Sequence, residues 1–293
     1  MRYRIIHSTE YRYTDTVSQC HNVAHLIPRD TPHQRCLQSR IDVDPVAADY
    51  AQRHDFFGNP VSFFSTQIPH QRLAVIATSE VQVAPEPARL DLHSGTSWQG
   101  VKAHLSASLQ PEDLDARQYL LDSPLVVASE ALAAYARPSF QAGRPLLEVA
   151  LELVDRIHND FRYEPGFTSV TTPLEEVLRD HRGVCQDFAH LAIGCLRAMG
   201  LPARYVSGYL ETVPPPGQER LQGADASHAW FSVYVPQLGW LDLDPTNNQR
   251  PMGRHITTAW GRDFSDVTPL KGVIFGGGAG HGLAVSVDVE RLE

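Results

Sequence analysis

RGVCQDFAHLAIGCLRAMGLP, residues 182–202, is the stretch on which the reading of the chain turns. Phe188, Leu191, Ala192, Cys195, Leu196 and Met199 recur at helical spacing, and Gly200-Leu201-Pro202 is a stop signal. Cys185 precedes the first residue of that stripe by three, which puts it at the helix N-terminus on the face turned to the core. Unpaired backbone N–H groups and the positive end of the helix dipole favour a thiolate there, and the same groups can hold a developing oxyanion. Gly183 is expected to let the chain turn sharply into the helix without a side chain obstructing the substrate. Cys195 lies about 15 Å further along the axis at 1.5 Å per residue, beyond disulfide reach, and belongs to the core stripe as an inert thiol.

A nucleophilic cysteine needs a base, and in a chain with 14 histidines a lone histidine says nothing. His228 stands apart because it opens the strand pattern HAWFSVYV, residues 228–235. Ala229, Phe231, Val233 and Val235 form one apolar face there, and His228, Trp230, Ser232 and Tyr234 share the other. The third member must be an acceptor that fixes the imidazole tautomer and stabilises the imidazolium. The next strand, WLDLDPT from Trp240, carries Asp242 and Asp244 on the face opposite Leu241 and Leu243. A loop over 236–239 would pair Val235 with Trp240 and leave His228 on the wrong face for Asp244. A loop over 235–239 pairs Tyr234 with Trp240 and sets Asp244 opposite Trp230, within diagonal reach of His228. That register, or a bulge with the same effect, is expected.

Outward from this segment the pattern changes. Alternating runs near 1–13, 36–44, 61–67 and 71–83 read as strands, with Tyr3, Ile5, His7, Thr9 and Tyr11 on one face of the first. Ala84-Pro85-Glu86-Pro87 ends the strand region, so the boundary of a β-rich domain, residues 1–110, falls between Ala84 and Pro111. Residues 111–293 form the second domain. Helices are expected from Pro111 to about Arg137, from Pro145 with the stripe Leu146, Val149, Ala150, Leu153 and Ile157, and over 173–179. The last of these opens with Thr172-Pro173-Leu174-Glu175, which reads as a capping box. Strands follow at 203–210, 229–235, 240–244 and 283–289, with a stiff loop at Val213-Pro214-Pro215-Pro216-Gly217. The sum is an α+β domain, helices before an antiparallel sheet, preceded by a β-rich one.

The 293 residues carry 34 acidic against 25 basic side chains, a net charge of −9, without a basic cluster to track phosphates, so a nucleic-acid partner is not expected. No run approaches the roughly 20 apolar residues of a membrane helix. Four scattered cysteines, at 20, 36, 185 and 195, fit free thiols and a cytoplasmic setting better than a disulfide framework. His21 and His25 are spaced i, i+4 but lack companion ligands, and Gly276-Gly277-Gly278 lacks the continuation of a phosphate loop, so no metal and no cofactor are expected. His190, Trp230 and Trp240 are given structural rather than catalytic roles, Asp242 is set aside in favour of Asp244, Gln186 offers at most its backbone N–H to the oxyanion with its side chain unassigned, and Cys20 and Cys36 have no role.

GVCQDFAH (183–190), GLPARYVSGY (200–209), His228-Ala229-Trp230 and Gly239-Trp240 through Asp244-Pro245-Thr246 together resemble the core of the transglutaminase-like superfamily, in its bacterial, cysteine-protease-like branch. The N-terminal β region and Gly261-Arg262-Asp263-Phe264-Ser265-Asp266-Val267 with Pro269 also resemble that branch. The resemblance implies a papain-like core of helices packed on an antiparallel sheet, and a triad falling on Cys185, His228 and Asp244. It implies no calcium site, and Ser232 stands where many relatives carry an acid. The expected activity is hydrolysis of a peptide or protein amide through an acyl-enzyme thioester. Acyl transfer to an amine, as in a cross-linking transglutaminase, and a silent binding module of the same fold are the alternatives.

Overall fold

A computed structural model describes residues 1–84, 95–212, 227–251 and 253–292. The Pro-rich loop at 213–217 and all but Ala84 of the expected strand end at 84–87 lie outside them. The first strand, β1 (Arg2–Ala24), is the spine of the larger sheet. Tyr3, Ile5, His7 and Thr9 are buried along it while Arg2 and Arg4 face solvent, as the alternation requires. With β2 (Gln34–Asp44), β3 (Asp49–His54), β4 (Pro60–Thr66) and β5 (His70–Val83) it forms an antiparallel order β2-β5-β1-β4-β3. The whole of β3 is exposed, so it has no apolar alternation by which the sequence could reveal it.

The helical part begins with α1 (Trp98–Ala107), capped by the Ser97 side chain, which accepts from Gly100 N. It lies within the interval from Ala84 to Pro111 in which the boundary is expected, and its Val101 and Leu105 enter the same core as the later helices. The single helix expected from Pro111 to Arg137 is two, α2 (Pro111–Arg117) and α3 (Glu130–Ala136). The segment between them gives its polar groups to other partners. Arg197 donates to Tyr119 O at 2.9 Å and Ser123 Oγ at 3.0 Å, and Leu125 N donates to Asp263 Oδ2 at 2.7 Å. These long-range bonds replace a helical ladder and leave no local signature.

Next comes α4 (Leu146–Asp160), whose expected stripe is fully buried; Pro145 is its N-cap rather than its first residue. After it, β6 (Arg162–Tyr163) pairs in parallel with β7 (Arg182–Gly183), and α5 (Leu174–Asp180) lies between them. The capping box expected there does not form: Pro173 is the N-cap, and Thr172 Oγ1 instead accepts from Ser169 N at 2.9 Å. The helix read from residues 182–202 is α6 (Cys185–Ala198). Everything from Asp187 to Arg197 is buried, so it is a central helix and not merely an amphipathic one.

One face of the smaller sheet packs on α6. Its strands β8 (Ala203–Leu210), β9 (Ser227–Val235), β10 (Gly239–Leu243) and β11 (His255–Gly261) run in the order β10-β9-β8-β11, all antiparallel. Phe188, Leu191, Ala192 and Cys195 of α6 share one core with Leu153 and Ile157 of α4 and Phe231 and Val233 of β9. The last strands, β12 (Leu270–Gly276) and β13 (His281–Arg291), do not join this sheet but return to β1. Strand periodicity identifies a strand, not its partner, so a linear division of the chain at residue 110 does not follow the sheets.

Side-chain amides weld the two sheets. Gln34 accepts from Thr257 N and donates to Thr257 O, each at 2.8 Å. Asn59 does the same for Trp260, at 2.9 and 2.8 Å, so two carboxamides mimic a neighbouring strand along the edge of β11. Arg29 and Arg204 both stack on Trp260, at 3.1 and 3.7 Å from the ring centroid. Gln34→Leu leaves Thr257 N without its partner, Thr257 O keeping Arg29 N, and Asn59→Leu removes the partner of both Trp260 N and Trp260 O, so each is expected to cost about 1–3 kcal/mol. A fall in the urea midpoint measures this; an unchanged midpoint would show that β11 finds other partners.

Candidate active site

Cys185 sits where the sequence puts it, at the start of α6 and half-buried. The approach to it is held by Asp187, whose buried Oδ2 accepts from Val184 N at 2.8 Å and from Thr168 Oγ1 at 2.6 Å. Burial pushes the Asp187 carboxyl up, and these two hydrogen bonds oppose the shift. A Cβ on Gly183 would lie 2.7 Å from Asp187 Oδ2 and 2.8 Å from its Cβ. The glycine is therefore needed for the close approach of this carboxylate, not to clear a path to the thiol. The Gln186 side chain donates to Val170 O at 3.1 Å and so ties down a loop of the cleft wall.

The β9–β10 hairpin forms in the register that brings its acids to His228. Tyr234 pairs with Trp240 and Phe231 with Leu243, which directs the next residue, Asp244, to the His228 side. Gln237 and Gly239 take the positive φ values, 72° and 81°, that the turn needs. His228 Nε2 donates to Asp244 Oδ2 at 2.8 Å, leaving Nδ1 as the ring nitrogen available to Cys185. Asp242 is turned elsewhere and accepts from Ser232 Oγ at 2.5 Å.

Asp244 has no exposed surface and is saturated with donors. Oδ2 also accepts from Asn247 Nδ2 at 2.8 Å, and Oδ1 accepts from Thr246 N at 3.0 Å and Asn247 N at 3.2 Å. A second imidazole, His255 at the start of β11, places its Nε2 2.9 Å from Oδ2. The sequence reading missed His255. The seven residues from 255 to 261, HITTAWG, do not alternate and are buried at every position but Trp260, and nothing there indicates that β11 lies beside β8 and reaches Asp244. Trp230, fully buried, packs against both histidine rings and is a floor for the cluster, whereas Trp240 packs on Tyr119 and Tyr234 away from it. His190 is structural: buried, it accepts from Phe264 N at 3.1 Å.

Charges follow from these contacts. Burial works against a charged His228, but hydrogen bonds to Asp244 and Cys185, with the charges of both, push it up to about 10. Burial works to raise Asp244, and His228 and His255 outweigh it, holding the carboxyl well below the usual range. His255 is lowered by burial against the pull of Asp244. His228, Asp244 and His255 have a metal-binding composition, with ligand atoms all within 4.8 Å of one another. The 2.8 and 2.9 Å contacts are N–H···O distances, however, and every lone-pair direction of the carboxylate is engaged by a donor, so shared protons already satisfy the set.

A cavity of about 730 Å³ opens on Cys185 and His228. Its far wall is built by the larger sheet, from His7, Thr9 and Tyr11 of β1 and Leu283 and Val285 of β13. His7 is neutral there, lowered by burial to about 4. Among the described lining residues Lys271 is the one lysine, arginine, aspartate or glutamate.

The His228 imidazole is expected to titrate near pH 10 by NMR, and Cys185→Ala to lower that midpoint by removing one of the two groups that hold the charge. Since the folded value lies above the ordinary 6.5, the stabilisation from His228 is complete below about pH 6.5 and is lost as pH rises through about 10. A midpoint near 6.5 in the folded protein would contradict the ion pairing.

Comparison with known proteins agrees with this architecture. The family described as the bacterial transglutaminase-like N-terminal region matches residues 3–82, and the transglutaminase-like superfamily core matches residues 133–245. An uncharacterized protein of Mycobacterium tuberculosis is 45% identical over 296 residues, covering 100% of this chain and 93% of that protein. One of Mycobacterium leprae is 31% identical over 297 residues, covering 99% of each. The crystal structure of a Cytophaga hutchinsonii protein, provisionally described as a cysteine protease, shares the fold, with a TM-score of 0.77 at 21% identity over 100% of this chain and 91% of that one. The chain belongs to the transglutaminase-like superfamily, joined to the bacterial transglutaminase-like N-terminal region.

Proposed function

We propose that the protein is a thiol-dependent hydrolase of peptide or protein amides, with Cys185 as nucleophile, His228 as acid and base, and Asp244 as the group that orients and charges His228. The observation that carries this reading is the chain of contacts itself: a buried carboxylate on His228 Nε2 at 2.8 Å, and Cys185 beside that same ring at the start of a helix. The Cys185 sulfur attacks the amide carbonyl. The carbonyl oxygen takes up negative charge, and the Cys185 and Gln186 N–H groups, among the helix donors without an i−4 partner, stabilise it. His228 gives its Nδ1 proton to the leaving amine as the C–N bond breaks, and an acyl thioester remains on Cys185. Water then attacks the thioester, His228 takes its proton, and as the C–S bond breaks the acid product leaves with the starting pair, the Cys185 thiolate and the protonated His228, restored. Asp244 stays ionised throughout.

Leu283 and Val285 in the far wall, and the scarcity of charged groups in the lining, favour an acyl donor carrying apolar side chains. Four unpaired thiols suit a reducing, cytoplasmic setting. No helix of the described residues is long and apolar enough to cross a membrane, and no nucleic acid or metal enters the proposed chemistry.

A peptide library scored by mass spectrometry tests the proposal. Cleavage that leaves a free carboxylate, and that falls about 10³-fold or more in Cys185→Ala, is expected. With a labelled primary amine and a Gln-bearing peptide present, amide product without carboxylate would overturn hydrolysis in favour of acyl transfer. No cleavage and no amide product in the wild type, together with no labelling of Cys185 by a thiol probe at neutral pH, would sink both readings and leave a binding module.

A further inference from the structure

Resting on that reading of the triad, we propose that His255 is a positioning residue, which fixes the Asp244 carboxylate by donating to the oxygen that also serves His228. The two Nε2 atoms meet Asp244 Oδ2 at 2.8 Å from His228 and 2.9 Å from His255. Three further donors hold the carboxylate, from Thr246 and Asn247, but they belong to the same turn as Asp244 and move with it. Apart from His228 itself, on β9, His255 is the one donor that stands on a strand, β11, which is bonded to β8 on one side and to Gln34 and Asn59 on the other. It thus ties the turn that carries Asp244 to the sheet framework from outside that turn.

The tautomer is set by the surroundings. His255 is 7% exposed and its Nδ1 is buried with no partner, so the ring carries its proton on Nε2, the atom that faces the carboxylate. Trp230 meets the ring edge-to-face, with centroids 5.1 Å apart and an interplanar angle of 84°, which prevents a flip. The titratable groups around it are His228 of β9, Asp242 of β10 and Asp244 just beyond. Burial keeps His255 the neutral donor, while His228 beside the same oxygen carries the charge. One carboxylate serves a charged imidazole and is held in place by an uncharged one.

The test compares His255→Phe, His255→Gln and His255→Asn with the wild type and with Asp244→Asn. The readouts are the rate of Cys185 alkylation by iodoacetamide at neutral pH, the His228 titration midpoint by NMR, and near-UV circular dichroism for folding. Gln places an amide N–H where His Nε2 stood, while Asn places it near Nδ1. His255→Phe and His255→Asn are expected to slow alkylation about 10- to 100-fold and shift the His228 midpoint, and His255→Gln to restore most of both. Equal alkylation rates and midpoints in all three variants would overturn the positioning role. So would equal losses in Gln and Asn, which would reduce His255 to a structural residue. If the wild-type Cys185 is itself no more reactive than in Asp244→Asn, the triad reading fails first, and this outcome is distinct from the others. Should the Phe variant fail to fold, the contrast between Gln and Asn still decides.

Discussion

A single carboxylate, that of Asp244, bears the organisation of the site. It is withdrawn completely from water, where an ionised group is stable only if its lone pairs are met by donors. Two imidazoles, two backbone N–H groups and one amide supply them. Each donor comes at a cost to the design of the fold: β9 and β10 must pair in one register, the turn after β10 must fold back through the Asp244–Gln249 bridge, and β11 must lie at the far edge of the sheet. The small sheet can be understood as the framework that brings these donors to one oxygen pair.

The helix on the other side of the cleft has an equivalent anchor. Asp187 reaches back to Val184 N and Thr168, and Gly183 leaves room for it, so the residues just before Cys185 are fixed by a second buried carboxylate. Helix α6 runs on through the core and is clamped at its far end by Arg197, whose guanidinium donates to Tyr119, Ser123, Ala203 and Arg262. Cys185, the proposed nucleophile, is thus the first residue of a rod held at both ends. The larger sheet does not contribute to the triad, but β1 and β13 wall the cleft, and the Gln34 and Asn59 amides hold that wall against β11. Access to the thiol and the placement of the triad are therefore mechanically linked through one strand.

Local signals were enough for the parts of this arrangement that local chemistry controls. The stripe from Phe188 to Met199 and the stop at Gly200 define α6, whereas alternation puts Asp242 and Asp244 on one face, and it is the Tyr234–Trp240 register, together with the Asp-Pro-Thr setting, that singles out Asp244 as the partner of His228. The failures share a cause. Residues 118–129 look helical by composition, but only the short turn Gln118–Leu120 forms, and Arg197 and Asp263, distant in sequence, claim Tyr119 O and Leu125 N. His255 looks like any strand histidine until β11 is known to lie next to β8. Strands β12 and β13 lie beside β1, some 250 residues away in the chain, because β1 is long enough to hold two sets of neighbours. Periodicity reports which face of an element is apolar; it carries no information about which element covers that face.

The central claim is that a buried, fully hydrogen-bonded Asp244 makes His228 and Cys185 an acyl-transfer pair. Single-turnover acylation, read as intact mass after acid quench with an activated ester of an apolar peptide, addresses it directly. The account predicts one acyl group on Cys185 in the wild type, none in Cys185→Ala, and formation slowed by about 10³-fold in folded Asp244→Asn, whose amide cannot hold the required tautomer. An acyl group on another residue, or an acylation rate indifferent to Asp244, would contradict it.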